Sequence, residues 1–190
     1  CIYTRELRHN CEKSNLKFLV VVRKNLVLLG MMGVGKTTLG KIVSKKLNLQ
    51  FIDTDNNIEK NCSMKISEIF KKKGEEFFRV KEEKEVLKSL KESNSVIALG
   101  GGAFVNEIAR KNILENAISI WLDVSIDDLN KRIKWNDKRP LLGEGSNEEK
   151  IKKLYIERKD IYKLANHKIN CDNLTKENIV EKIITFYEKQ

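Results

Sequence analysis

The 190-residue sequence has no long apolar run: its longest is five residues, Phe18 to Val22, against the ~20 that a helix needs to cross a bilayer, so a membrane-spanning helix is excluded. Cysteine is sparse and dispersed. Cys1, Cys11, Cys62 and Cys171 form no Cys-x-x-Cys pair, and only His9 and His167 accompany them. That spacing is neither a zinc site nor a disulfide framework, and the expected compartment is the reducing cytosol or an equivalent stroma. Proline occurs once, at Pro140, and no low-complexity stretch or internal repeat is present. Aromatic residues make up 7% and do not interleave with a basic stripe, which argues against a nucleic-acid surface. What remains is 41% hydrophobic and 34% charged, a composition and length that suit one folded domain.

The net charge of +10, from 37 basic and 27 acidic residues, invites a polyanion, but a plainer reading competes with it. Lysines lie beside glutamates along the chain, as in Glu82-Glu83-Lys84-Glu85, the pattern of a solvated helix surface. Arginine is the scarcer cation. Beyond residue 24 the only arginines are Arg79, Arg110, Arg132, Arg139 and Arg158, in a chain that otherwise chooses lysine. Each is a candidate for a place that needs a planar, bidentate donor.

Residues 1–24 begin with Cys, carry six basic and two acidic side chains, and lack an apolar signal core; they are expected to form a loosely ordered extension. Residues 25–190 read as the folded domain. Leu26 to Leu29 suggests a strand, followed by a glycine loop and a helix over Thr37 to Leu47 with Leu39, Ile42, Val43 and Leu47 on one face. Phe51-Ile52 forms a short strand ending at Asp53-Thr54-Asp55. A short helix around Ile66 to Phe70 is broken at Gly74, and a longer one runs from about Glu75 to Lys91. Further strands are expected at Val96 to Leu99, Ile118 to Leu122 and Lys168 to Cys171. Helices are expected near Asn106 to Leu114, over 126–134, from Glu148 to Ala165 and from Lys176 to Glu188, with a polar loop from Trp135 to Asn147. Strands alternating with helices predict an α/β fold, a parallel sheet covered on both faces as in a three-layer α/β/α sandwich.

Gly30-Met31-Met32-Gly33-Val34-Gly35-Lys36-Thr37, between a strand and an amphipathic helix, matches the P-loop pattern. Its glycines let the backbone wrap phosphates, the helix N-terminus offers free N–H groups, Lys36 neutralises β- and γ-phosphate charge, and Thr37 can ligate magnesium. A nucleoside triphosphate is the expected ligand. No Asn-Lys-x-Asp guanine signature occurs. Asp53 and Asp55 stand two residues apart at a strand end, offering one carboxylate to magnesium and one to a hydroxyl; the competing reading is a capping turn before Ile58. Asp123 reads as a helix cap with Ser125. Gly100-Gly101-Gly102 spends three of ten glycines at one strand end, which suggests close approach of a ligand to backbone, against a plain tight turn. Arg158 sits at the centre of the stripe Ile151, Leu154, Tyr155, Ile161, Tyr162 and Ala165, so it faces the interior and needs a carboxylate from protein or ligand. Arg79 is either a ligand cation or half of a structural ion pair with a nearby Glu. Arg139, beside Pro140 in the polar loop, suggests a lid that brings a cation to the transferring phosphate, against a solvated loop charge.

These motifs, with Gly-Glu-Glu-Phe-Phe-Arg, Lys-Arg-Pro-Leu-Leu and Glu-Arg-Lys-Asp-Ile-Tyr in the same order, make the chain similar to the shikimate kinase family from about Asn25 to Glu188. The resemblance implies a five-stranded parallel sheet of the nucleoside monophosphate kinase type, a mobile lid at about 135–147, and ATP-dependent phosphorylation of the shikimate 3-hydroxyl with Mg2+. It implies catalytic roles for Lys36, Asp55 and Arg139. Nucleotide contacts would come from Gly33, Val34, Gly35, Lys36, Thr37, Thr38, Arg132 and Arg139, with Arg132 near adenine. Shikimate contacts would come from Asp55, Arg79, Gly101, Gly102 and Arg158, with Glu82 bracing Arg79. Thr37 would hold the metal, assisted by Asp53 through water. The partners implied are ATP and shikimate, with no nucleic acid and no membrane, for a cytoplasmic monomer, or a plastid protein if residues 1–24 are a transit remnant. The chain departs from the family after the last strand, where Asn173-Leu174-Thr175-Lys176 replaces a common arginine and no site residue is carried over.

Overall fold

The structure is a computed structural model that describes residues 24–134 and 147–190. Its centre is β1 (Asn25–Leu29), five residues buried on both faces, which is why the run Leu26 to Leu29 has no polar alternation. After the glycine loop come α1 (Lys36–Leu47), β2 (Gln50–Asp53), α2 (Thr54–Cys62) and α3 (Ile66–Ser89). Next are β3 (Ser95–Ala98), a 3-10 turn (Ala103–Val105), α4 (Glu107–Asn116), β4 (Ala117–Asp123) and α5 (Ile126–Lys134). The chain ends with α6 (Asn147–Tyr162), β5 (His167–Asn170) and α7 (Lys176–Tyr187). All strand pairs are parallel, and the order across the sheet is β2-β3-β1-β4-β5. The connections change direction about β1, and in such sheets the crevice at the strand C-termini beside that point is the natural ligand site.

Local chemistry sets the boundaries. α1 closes at Asn48, a left-handed residue whose N–H reaches the carbonyls of Ser44 and Lys45. Asn106 and Thr175 cap α4 and α7 by accepting from Ala109 N and Asn178 N. α3 bends at Gly74, whose φ of 84° and ψ of 170° interrupt the helix, so the expected break there is a kink between two helical segments. One core of aliphatic residues from β1, β3 and β4 takes in Leu39 and Val43 of α1 and Ile179 and Ile183 of α7. A smaller one joins Ile58, Ile69 and Phe78 under the α2–α3 corner.

Two expectations are corrected. Residues 54–62 form a helix that the sequence reading passed over, because Asp53 accepts from Asn56 N at 3.1 Å and so starts α2 directly from the strand. Asp123 is not a cap. Ser125 alone caps α5, accepting from Asp128 N at 3.3 Å, while the Asp123 carboxylate receives the Tyr155 hydroxyl at 3.0 Å and pairs with Lys168 at 2.8 Å. The expectations for residues 1–23 and for the lid, including Arg139, lie outside the described residues.

Candidate active site

The loop after β1 is shaped for an anion. Gly35 precedes α1 at φ 98°, a backbone conformation that disfavours other residues, and no side chain caps the helix there. The first N–H groups of α1 therefore face the loop's concavity, where a phosphate would meet them and the positive end of the helix dipole. The Lys36 ammonium donates to the carbonyls of Gly30 and Met31, both at 2.9 Å, which holds its charge over the loop. The Thr37 hydroxyl donates to Asp53 Oδ2 at 2.7 Å. Asp53 thus makes two contacts: one oxygen starts α2 and the other accepts from Thr37.

A cleft of ≈ 1010 Å³ opens from this loop across the sheet's C-terminal edge. Gly33, Gly35, Lys36, Thr37, Thr38, Asp53, Asp55, Arg79, Gly101, Gly102 and Arg158 all line it, drawn together from widely separated parts of the chain. Val34 stands apart: its side chain is 2% exposed and belongs to the core, which leaves only its backbone to the loop. Arg132 is exposed on α5 and does not line the cleft; its charge is felt at Cys171, at the end of β5.

Thr54 positions the wall opposite the P-loop. Buried completely, it donates to Ala98 O at 3.3 Å and accepts from Gly100 N at 3.0 Å, tying the start of α2 to the glycine triplet. Asp55 follows at once and is pressed against the triplet. A methyl group on Gly100 would overlap Asp55 Oδ1 and stand 2.7 Å from Glu82 Oε1, so a side chain here would displace both carboxylates. On Gly102 a methyl would overlap the Arg79 guanidinium, and on Gly101 it would touch Arg158 Nη1 at 3.6 Å and Met32 N at 3.5 Å.

The two arginines share an acid. Arg79 donates to Glu82 at 2.7 Å and to Glu75 at 2.9 and 3.2 Å, while Arg158, 7% exposed, donates to Gly101 O at 2.9 Å. Burial pushes the Glu82 carboxyl up, and Arg79 and then Arg158 oppose that shift. Burial likewise disfavours the Arg79 charge, but Glu82 and Glu75 outweigh it and hold the guanidinium protonated. Arg79 and Arg158 thus flank one buried carboxylate, with the exposed Glu75 also paired to Arg79. Phe70 and Phe78, with ring centroids 4.8 Å apart, floor the cleft beside it. Sequence reasoning missed Thr54, Phe70 and Phe78 as site residues, and also the Lys65–Glu59 pair at the rim, 2.8 Å apart. Asp53-Thr54-Asp55 and Phe77-Phe78-Arg79 carried a usable signal for Thr54 and Phe78. The Glu59–Lys65 pair crosses a turn between helices and follows no helical spacing.

The arrangement offers a phosphate cradle, a carboxylate pair at the sheet edge, and paired guanidiniums for an anionic acceptor. Comparison with known proteins agrees. The family model described as shikimate kinase matches residues 32–188. A shikimate kinase of Sulfurihydrogenibium sp. is 43% identical over 162 residues, covering 85% of this chain and 96% of that protein. The solved shikimate kinase of Acinetobacter baumannii, in complex with shikimate, superposes with a TM-score of 0.84 at 28% identity, covering 88% of this chain and 94% of that one. A gluconokinase from Sinorhizobium meliloti, at 10% identity and TM-score 0.58 over 88% of this chain and 93% of that one, shares the fold alone.

Proposed function

The chain belongs to the shikimate kinase family, a P-loop kinase whose reaction is the ATP-dependent phosphorylation of shikimate in aromatic amino acid biosynthesis, and we propose that the cleft described above carries this reaction on the 3-hydroxyl. One observation supports the assignment most: Arg79 and Arg158 converge beside Asp55 and the glycine triplet, in the same cleft as Lys36 and Thr37. The acceptor's carboxylate lies between the two guanidiniums, as planar forks bind carboxylates. Its ring lies over the backbone of Gly101 and Gly102, where side chains would intrude.

Asp55 accepts the hydrogen bond of the attacking hydroxyl and takes its proton as the oxygen bonds to the γ-phosphorus. The bond from phosphorus to the β–γ bridging oxygen breaks, and ADP leaves with the electron pair. Lys36 turns from the carbonyls of Gly30 and Met31 to the phosphate oxygens, joined by the N–H groups of Gly33, Val34, Gly35, Thr37 and Thr38. Arg139 adds its charge, and Arg132 flanks the adenine. Positioning and charge stabilisation, rather than covalent catalysis, lower the barrier. Thr37 and Asp53 fit Mg2+: both present hard oxygens at the loop's mouth, and this ion takes few protein ligands and keeps several waters. When bound, it neutralises charge on the β- and γ-phosphates. We take the enzyme to be cytoplasmic, in keeping with the free thiols of Cys62 and Cys171, and to act as a monomer.

A coupled ADP-release assay with magnesium ATP tests the proposal, with shikimate, quinate, gluconate and AMP as acceptors. Turnover with shikimate far above the other three is expected. Turnover that prefers gluconate or AMP would overturn the assignment.

A further inference from the structure

Tyr162 lies outside the set of residues assigned to the cleft, yet it is built into the cleft's support. It closes α6 one turn after Arg158, is 1% exposed, and packs its ring on Trp121 with centroids 5.9 Å apart. A hydroxyl that deep needs a partner. It finds one in the carbonyl of Gly101, the same oxygen that Arg158 Nη1 reaches at 2.9 Å. Burial pushes the Tyr162 phenol up, so the oxygen keeps its proton and donates. The hydroxyl also stands 4.0 Å from Met31 Sδ, and Gly101 backs onto Met32 N. The side chain is therefore wedged beneath the glycine triplet and against the P-loop.

We propose that Tyr162 is a positioning residue for the acceptor: its hydroxyl pins the Gly101 carbonyl and so fixes both the triplet backbone and the Arg158 guanidinium. Two donors on one carbonyl leave the peptide between Gly101 and Gly102 a single orientation. They also hold Arg158 at this carbonyl and beside the Tyr162 oxygen, with the rest of its guanidinium left to the acceptor carboxylate. Without the phenol, Gly101 O keeps only Arg158, and the arginine becomes the sole tether of the triplet's middle carbonyl, while Thr54 and the turn after the triplet still hold Gly100 and Gly102. The loss falls on acceptor binding, because the carbonyls of Gly30 and Met31 hold the Lys36 ammonium and Asp53 accepts from the Thr37 hydroxyl.

This inference rests on the shikimate reading, and the experiment separates the two. Tyr162→Phe keeps the ring on Trp121 and removes the hydroxyl. Tyr155→Phe removes a hydroxyl from the same helix, one that bonds Asp123 instead, and controls for general loosening of α6. With wild-type turnover of shikimate established first, Tyr162→Phe is expected to raise the KM for shikimate by about 5- to 20-fold, the loss of about one buried hydrogen bond. The KM for ATP should stay within about twofold, and Tyr155→Phe should leave the KM for shikimate within about twofold. An unchanged shikimate KM in Tyr162→Phe, or equal rises for both substrates, overturns the proposal. A wild-type chain with no shikimate turnover overturns the functional reading instead. Should Tyr162→Phe not fold, uniformly 13C-labelled wild-type protein still answers. The Tyr162 hydroxyl proton must then correlate with the Gly101 carbonyl carbon and shift on shikimate addition, and a proton bonded elsewhere or indifferent to shikimate overturns the proposal.

Discussion

Gly102→Ala separates the site from the fold more cleanly than removal of any charge. The backbone at Gly102 has φ −101° and ψ −16°, which alanine adopts without strain. The three atoms nearest the added methyl all belong to Arg79: it overlaps Nη1 and stands 3.0 Å from Cζ and 3.2 Å from Nη2. The tip of a long side chain can yield, so the loss of stability should be under about 1 kcal/mol. The guanidinium cannot yield without cost to binding, because its 2.7 Å contact with Glu82 and its contacts with Glu75 set where it presents itself. A charge-assisted hydrogen bond is worth about 1.5–3 kcal/mol, and a group displaced by about 1 Å can cost about 100-fold. The KM for shikimate should therefore rise by about 10- to 150-fold, with the KM for ATP within about twofold and a thermal midpoint within a few degrees of wild type. Steady-state kinetics with both substrates varied, together with a melting curve, reads all three quantities. A melting point lowered by about 10 degrees with unchanged KM, or equal rises in both KM values, would refute the reasoning. Gly30→Ala is the contrast. Its φ is 138° and its methyl would lie 2.5 Å from the backbone carbonyl of Leu122, which cannot swing aside, so that variant should lose the fold itself.

Glu82→Gln should change the pH profile. In the native enzyme the carboxyl titrates above the ordinary glutamate range because it is buried, although Arg79 and Arg158 pull it back. Shikimate affinity should therefore fall on acidification through a raised pKa, as the two guanidiniums lose their shared anion, and this acid limb should vanish in Glu82→Gln. The stability sign is opposite: a carboxyl with a raised native pKa contributes most below its unfolded value, and that contribution declines as pH rises from there to the native value. A profile of shikimate KM and melting point between pH 4 and pH 8 should show both trends in the wild type and neither in the variant, a window set about the ordinary glutamate value. Cys171, fully buried and with its thiol pushed up to about 12 by burial, should resist a maleimide in the native protein and react only after unfolding. Residue-resolved mass spectrometry should find it labelled after Cys62, which is partly exposed. Early labelling of Cys171 would show that the end of β5 opens readily.

The sequence disclosed the central strands and the P-loop because each follows a local rule: apolar runs for strands buried on both faces, and a glycine pattern between strand and helix. Arg158 was also legible, since helical spacing alone places it inward. Other features needed three dimensions. α2 was hidden because Asp53 serves both as strand end and as helix cap, so no polar loop announces the helix. Asp123 looked like a cap by its position before Ser125, yet its carboxylate turns to Tyr155 and Lys168, partners 32 and 45 residues away that no local pattern couples to it. Thr54 and Tyr162 are ordinary in sequence, and become significant only because the parallel sheet sets the glycine triplet between the start of α2 and the end of α6. The role of each site residue came from resemblance to a family, and periodicity could not have supplied it.

The central claim is that Asp55 prepares the acceptor hydroxyl in a cleft that brings ATP and shikimate together. It is tested most directly by Asp55→Asn, with turnover, the phosphorylated position and the binding of each substrate measured on the same preparation. The account predicts that wild-type protein phosphorylates the 3-hydroxyl, whereas the variant binds both substrates within about tenfold of wild type and turns over at least about 100-fold more slowly, the scale of a lost general base. A variant that turns over at close to the wild-type rate, or a wild-type product phosphorylated at another hydroxyl, would contradict it.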